Sequence, residues 1–304
     1  MLRPIRTNRQ WLHLALLPLV LMTTERTVNA AEPSLPAEML LTLQRPLVIA
    51  HRGYSHSAPE NTLPSFKLAK AAGADLVELD YHHTQDGVLI VIHDGELDRT
   101  TDAVARWGGK DIRVASRTLT ELRTLDAGQW FDAKYTGTRL PTLTEALDLI
   151  QDGNVTLIER KAGNAASCVK LLRDRQFINH VVVQSFDWKY LKDFHRQEPR
   201  QILAALGPPG SRGGKKLEDA AKTLDKSWVD EVRQTGARVV VWNRQITRES
   251  VSYAHQKGMK VWVYTIDDST LAQTLRELGA DGIISNEPTV IQRTFAVRDT
   301  ARSQ

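Results

Sequence analysis

Cysteine is nearly absent from this chain: among 304 residues there is one, Cys168. A lone cysteine excludes an intramolecular disulfide, a cysteine-built zinc site and an iron–sulfur cluster. It sits in Ala165-Ala166-Ser167-Cys168-Val169-Lys170-Leu171-Leu172, whose apolar spacing is helical, so it reads as an inert core thiol. Long apolar runs are scarce too. After the first thirty residues no stretch is apolar enough to span a bilayer, which takes roughly twenty residues. An excess of one charge sign is the third absence. The net charge is +4, but Arg3, Arg6, Arg9 and Arg26 against Glu25 place three of those charges in residues 1–30. The remainder offers no attraction for nucleic acid or an anionic membrane, and nucleic-acid binding is set aside.

Residues 1–30 have a layout of their own. Three arginines precede an apolar run from Trp11 to Met22, and Val28-Asn29-Ala30 closes it with small residues. That is the pattern of a secretory signal peptide, too short in its apolar part to cross a membrane. The expected organisation is a signal peptide over 1–30, a lead-in over 31–45 and one domain over 46–298. The mature protein is expected to be exported, periplasmic or secreted, with no transmembrane segment.

From residue 46 onward short β-branched runs alternate with helical patterns. Strands are expected at 47–51, 76–80, 155–161, 181–185, 201–206, 238–242, 260–265 and 281–284. Helices are expected at 62–72, 142–150, 165–175, 187–197, 217–235, 247–257, 267–278 and 289–297. Thr142 with Glu145 makes a capping box, and Thr247 with Ser250 a weaker one. Eight strand–helix units in about 250 residues is the size of a (β/α)₈ TIM barrel. Two interruptions follow strands, a long insertion over about 81–140 and the basic loop 207–216, and in a barrel both lie at the C-terminal face. A loop as long as the first is expected to be functional.

The strand ends carry the chemistry. The first delivers His51-Arg52-Gly53, a titratable imidazole beside a fixed cation, as reaction at a phosphate ester requires. The second ends Glu78-Leu79-Asp80, and alternation points both carboxylates inward, where they repel unless a cation lies between them. Asp86-Gly87 then signals a hairpin within the insertion; a two-residue loop would pair Asp80 with His93. The third strand ends Glu159-Arg160-Lys161, with Glu159 and Lys161 on one face. Glu78, Asp80 and Glu159 form an oxygen cage suited to one divalent cation, Ca²⁺ or Mg²⁺, rather than zinc or copper. One histidine of the pair His51 and His93 can take a proton from the nucleophile while the other protonates the leaving alkoxide. Trp242 and Tyr264 end the sixth and seventh strands, where a ring can pack against glycerol or a headgroup, or into the core. Trp107, Trp130 and Phe131 can form an apolar lid or dock the insertion.

Over about residues 46–290 the sequence resembles the glycerophosphodiester phosphodiesterase family. The residues that carry this are His51-Arg52-Gly53 with Pro59-Glu60-Asn61-Thr62, Glu78-Leu79-Asp80, Thr84-Gln85-Asp86-Gly87 and His93-Asp94. Asp98-Arg99-Thr100-Thr101, Leu140-Pro141-Thr142-Leu143, Glu159-x-Lys161 and Gly279-Ala280-Asp281-Gly282-Ile283-Ile284 follow in order. The resemblance implies a (β/α)₈ barrel that hydrolyses glycerophosphodiesters, small-molecule substrates, to an alcohol and glycerol 3-phosphate with a divalent cation. It implies His51 and His93 as the acid–base pair, Glu78, Asp80 and Glu159 as metal ligands, Arg52 and Lys161 on phosphate, and Glu60 in support. Three places depart from the family pattern. Arg160 replaces an apolar residue, Asp102-Ala103 lacks a glycine, and Tyr264-Thr265-Ile266-Asp267 stands where Trp-Thr-Val-Asn is frequent. The alternatives are a lipid phosphodiesterase of the lysophospholipase D or sphingomyelinase D type on the same barrel, and a non-enzymatic binding barrel.

Overall fold

The computed structural model describes residues 36–301. The expected signal peptide and the start of the lead-in lie outside the described residues. The aliphatic runs form β1 (Leu47–Ala50), β2 (Leu76–His83), β3 (Leu89–Val91), β4 (Val155–Arg160), β5 (Val181–Ser185) and β6 (Ile202–Leu206). Then come β7 (Ser211–Arg212), β8 (Lys215–Lys216), β9 (Val239–Trp242), β10 (Lys260–Val263) and β11 (Gly282–Ser285). Parallel pairing runs β1-β11-β10-β9-β6-β5-β4-β2, and β2 pairs back onto β1, which closes an eight-stranded barrel. Each barrel strand is followed by a helix: Leu63–Ala71, Leu143–Ile150, Ala165–Asp174, Trp188–Gln197, Lys226–Arg233, Arg248–Gln256, Ser269–Leu278 and Pro288–Ala301.

Strand alternation divides the core in two. Leu47, Ile49, Leu76, Leu157, Val182, Ala204, Val241 and Trp262 fill the barrel interior. Their neighbours Val48, Val77, Leu79, Ile158, Val183, Val240 and Val261 pack outward against the helices. Fully burying each such side chain contributes about 1.5–3 kcal/mol. Towards the C-terminal ends the inward positions of β2, β4 and β5 become Glu78, Asp80, Glu159 and Gln184, all buried. An apolar floor thus carries a polar upper layer. A short helix, Pro36–Thr42, covers the opposite mouth: Ala37 and Leu41 join the interior cluster, and Glu38 pairs with Arg238 at 2.8 Å.

The caps explain where helices begin. Thr142 Oγ1 accepts from Glu145 N at 3.2 Å while Glu145 Oε2 accepts from Thr142 N at 2.8 Å. Thr247 and Ser250 make the second reciprocal box. The expected helix 217–235 is instead a 3₁₀ turn (Asp219–Lys222) and the helix Lys226–Arg233. Asp225 divides them, because its carboxylate accepts from Trp228 N at 2.9 Å and starts a new helix. The 207–216 loop holds the β7–β8 hairpin, turning at Gly213 and Gly214.

The hairpin register differs from expectation by one residue. Tyr81, His82 and His83 pair with Val91, Ile90 and Leu89, so Asp80 faces Ile92, not His93. Thr84 is the cause. Its N donates to Val88 O at 2.9 Å, its Oγ1 accepts from Val88 N at 2.9 Å, and it donates to Asp86 Oδ1 at 2.6 Å. The loop is therefore Gln85-Asp86-Gly87, with Gly87 in the left-handed region at φ +81°. Beyond it the insertion builds its own small core from Ile90, Ile92, Leu97, Val114, Leu122 and Leu125. Trp107 packs on that core beneath the Arg117 guanidinium, whereas Trp130 is exposed.

Candidate active site

The first β-to-helix connection is bent to serve the polar layer. Arg52 lies in the left-handed region (φ +53°), followed by Gly53 (φ +81°), where a Cβ would stand 2.4 Å from Ser65 Oγ. That turn aims Arg52 N at Glu78 Oε2, 2.7 Å away. Asn61, also left-handed at φ +57°, grips Asp80 twice: its Nδ2 donates to Oδ2 at 2.8 Å and its Oδ1 accepts from Asp80 N at 3.0 Å. Non-glycine residues held at positive φ each cost of order 1–3 kcal/mol, and here they place donors on two buried carboxylates.

Oxygens of Glu78, Asp80 and Glu159 lie within 4.8 Å of one another. Burial, then repulsion from Asp80 and Glu159, pushes the Glu78 carboxyl well above its ordinary range. Burial and Asp80 likewise raise Glu159. Asp80 is held low: burial opposes ionisation, but Lys161, Arg52 and His93 outweigh it. Lys161 Nζ stands 3.1 Å from Asp80 Oδ1 and also bonds Glu159 Oε1, and Arg52 Nε is 3.4 Å from Asp80 Oδ2. Three acids face two cations, and Glu78 Oε1 is buried with no hydrogen-bond partner among the described residues.

The histidines flank this group. His51 Nδ1 lies 2.7 Å from Asn286 Oδ1 at the end of β11. Burial, then the Arg52 charge, lowers its pKa to about 4, so the ring is neutral at neutral pH. His93 is close enough for its charge to act on Asp80 despite the shifted register, because β3 has ended and the chain bends there. Its Nδ1 is 2.6 Å from Asp94 Oδ1. Arg52 Nη1 donates to Glu60 Oε1 at 2.9 Å.

A family model for the glycerophosphoryl diester phosphodiesterase family matches residues 51–290. The chain belongs to that family. The glycerophosphodiester phosphodiesterase of Caldanaerobacter subterraneus subsp. tengcongensis is 33% identical over 249 residues, covering 80% of this chain and 94% of its own. One from Bacillus subtilis is 29% identical over 273 residues, 84% and 88% of the two chains. Among solved structures, an Oleispira antarctica phosphodiesterase in complex with the product sn-glycerol-3-phosphate is 28% identical. It superposes with a TM-score of 0.71 over 83% of this chain and 97% of that one.

Within this phosphodiesterase barrel the two aromatic expectations separate by parity. Val239 and Val241 point inward, so Trp242 points outward. It is fully buried against Trp228 and donates from Nε1 to Lys222 O at 2.8 Å, which removes it from the mouth of the site. Trp262 points inward, and Tyr264 continues that face to the mouth. There its hydroxyl donates to Gly207 O at 2.9 Å, and burial and Glu159 raise its pKa. The exposed Phe186 ring meets it edge-on, with centroids 6.0 Å apart. Arg160 turns to the helix layer, as its parity requires, and pairs with Asp187 at 3.0 Å.

Sequence reasoning missed Gln184 and Asn286 in the phosphodiesterase site. Gln184 neighbours Glu159 in register, and its Oε1 is buried without a partner among the described residues. His82, which shares the parity of Asp80, has Nε2 3.1 Å from His93 O across the β2–β3 hairpin. Asn286 escaped notice because nothing local marks it. Parity from Val182 would have found Gln184; Asn286 needed the closed barrel, which sets the end of β11 beside His51.

Proposed function

We propose that this chain hydrolyses glycerophosphodiesters to an alcohol and glycerol 3-phosphate, acting on a small-molecule substrate with one divalent cation, calcium or magnesium. The observation that carries the reading is the convergence of Glu78, Asp80 and Glu159 within 4.8 Å, in a member of this family. The names of its relatives and the product bound to the Oleispira antarctica protein support the same substrate class.

The three carboxylates fit such a cation. The donors are all oxygen, which suits hard Ca²⁺ or Mg²⁺, and the unpartnered Glu78 Oε1 leaves a lone pair for it. When bound, the ion supplies Lewis-acid polarisation of a phosphoryl oxygen. Arg52 and Lys161 present positive charge to the phosphate. Neutral His51 takes the proton of the attacking nucleophile. His93, whose Nδ1–H is held by the Asp94 carboxylate, delivers a proton to the departing alkoxide. The pattern of residues 1–30 supports an exported enzyme.

The test is product analysis on glycerophosphocholine with the full-length processed protein, using chelator and each metal added back. Release of glycerol 3-phosphate that stops with chelator is expected, and His51→Ala or His93→Ala should lose it. Unchanged turnover in either variant would overturn the roles given. Cleavage of lyso-lipid in preference to water-soluble diesters would favour the lipid phosphodiesterase, which the relatives' names do not support.

A further inference from the structure

A histidine offers two ring nitrogens, and the one that carries the proton decides what the other can do. His51 Nδ1 faces the side-chain amide of Asn286. If that amide were turned over, its NH₂ would face the ring and demand the opposite tautomer. Its orientation is fixed from behind. Asp267, in the loop after β10, accepts from Asn286 Nδ2 through Oδ2 at 2.8 Å and from Asn286 N through Oδ1 at 2.8 Å. Ser285 Oγ donates to the same Oδ1 at 2.9 Å. A carboxylate has no proton to give, so the NH₂ of Asn286 must turn towards Asp267 and its oxygen towards His51. Ser55 Oγ also donates to that oxygen, at 2.8 Å.

We propose that Asp267 and Asn286 are positioning residues that hold His51 as the Nδ1–H tautomer, leaving the Nε2 lone pair free at the reacting end. This rests on the reading of His51 as the proton acceptor. The arrangement ties the loops after β10, β11 and β1 into one line that ends on the imidazole.

The test separates orientation from scaffolding. Asp267→Ala frees the Asn286 amide to turn, and kcat on glycerophosphocholine should fall at least about tenfold with KM little changed. Adding Asn286→Asp gives an acceptor oxygen whichever way the side chain turns. The double variant D267A/N286D therefore needs no orienting partner and should recover most of the lost kcat. A purely structural Asp267 predicts no recovery. ¹⁵N NMR of the cation-loaded protein reads the tautomer directly: Nε2 of His51 unprotonated in the wild type, mixed in D267A. An Nε2–H tautomer in the wild type, or a folded double variant that stays inactive, overturns the proposal. The Nδ1–H tautomer together with a fully active His51→Ala would instead overturn the catalytic reading of His51 and leave the positioning intact.

Discussion

Arg99, from the insertion, clasps Glu60 with both terminal nitrogens, at 2.9 and 2.7 Å. Its third nitrogen, Nε, donates to Asp94 Oδ2 at 2.6 Å. Glu60 in turn holds Arg52, and Asp94 holds His93, so one guanidinium backs both the Arg52 cation beside Asp80 and a histidine. Burial would raise Glu60, but Arg99 and then Arg52 outweigh it and keep the carboxylate ionised. Asp94 is lowered to about 2, with burial again opposed by Arg99 and His93.

Lysine carries the charge without the planar fork, so Arg99→Lys should serve one carboxylate and release the other. The expected loss is about 10- to 100-fold in kcat/KM, the usual cost of removing a residue that orients a site. Steady-state kinetics beside a thermal melt check it. Wild-type kinetics in Arg99→Lys would show that Glu60 and Asp94 hold their places unaided.

Much of this was legible in the chain. Alternation alone turned Glu78, Asp80 and Glu159 to one interior, because a period of two leaves no freedom once Leu76 and Leu157 are buried. The hairpin register was not legible, since Thr84 decided it through a side-chain bond that no propensity records. Trp242 stood open between the site and the core for a simpler reason: a strand end alone does not fix the face, and parity with the inward Val241 does. Arg99 stood in a recognised motif, yet its partners Glu60 and Asp94 lie 39 and 5 residues away, and only the folded insertion unites them.

The acidic cage should make cation affinity depend on pH. Glu78 is raised above its ordinary value of 4.5 by burial and by its acidic neighbours. A folded pKa above the unfolded one means that the folded cation-free protein binds the extra proton. Its stability therefore falls as pH rises from 4.5 through the raised value. The cation needs the ionised form, so its affinity should rise across the same interval. Melting curves with and without Ca²⁺ or Mg²⁺ from pH 5 to 8 measure both. At one hundred times Kd the ion should add about 2.7 kcal/mol. Glu78→Gln should weaken binding and flatten the pH dependence. A cation shift that is independent of pH would place the ion elsewhere.

Cys168 should be silent in the native protein. It is fully buried in the helix layer, and burial pushes its thiol up to about 12 despite hydrogen bonds with Tyr190 and Tyr81. Thiolate is the reactive form, so a thiol reagent should label the chain only as fast as it unfolds. Labelling rates followed against urea check this. Fast labelling without denaturant would mean that the helix layer opens locally over Tyr81 and Tyr190.

Asp126 tests whether the insertion has stability of its own. Its buried carboxylate accepts from Gly128 N and Gln129 N at 2.8 Å each and from Gly137 N, while its own N donates to Asp102 Oδ1 at 2.8 Å. Burial alone would raise its pKa, but the three backbone donors outweigh it and the group is lowered. Asp126→Asn turns one acceptor into a donor facing donors, which should cost about 1–3 kcal/mol at neutral pH. A folded pKa below the unfolded value of 3.8 makes the aspartate's advantage full above that pH. The advantage is then lost as pH falls through the folded value. Urea unfolding of both proteins at pH 7, 5 and 3 should therefore show a constant gap that closes only at the lowest pH. Hydrogen exchange should place the loss in residues 126–138. A gap that persists at pH 3 would mean that Asp126 acts through packing, not through the charge its three donors surround.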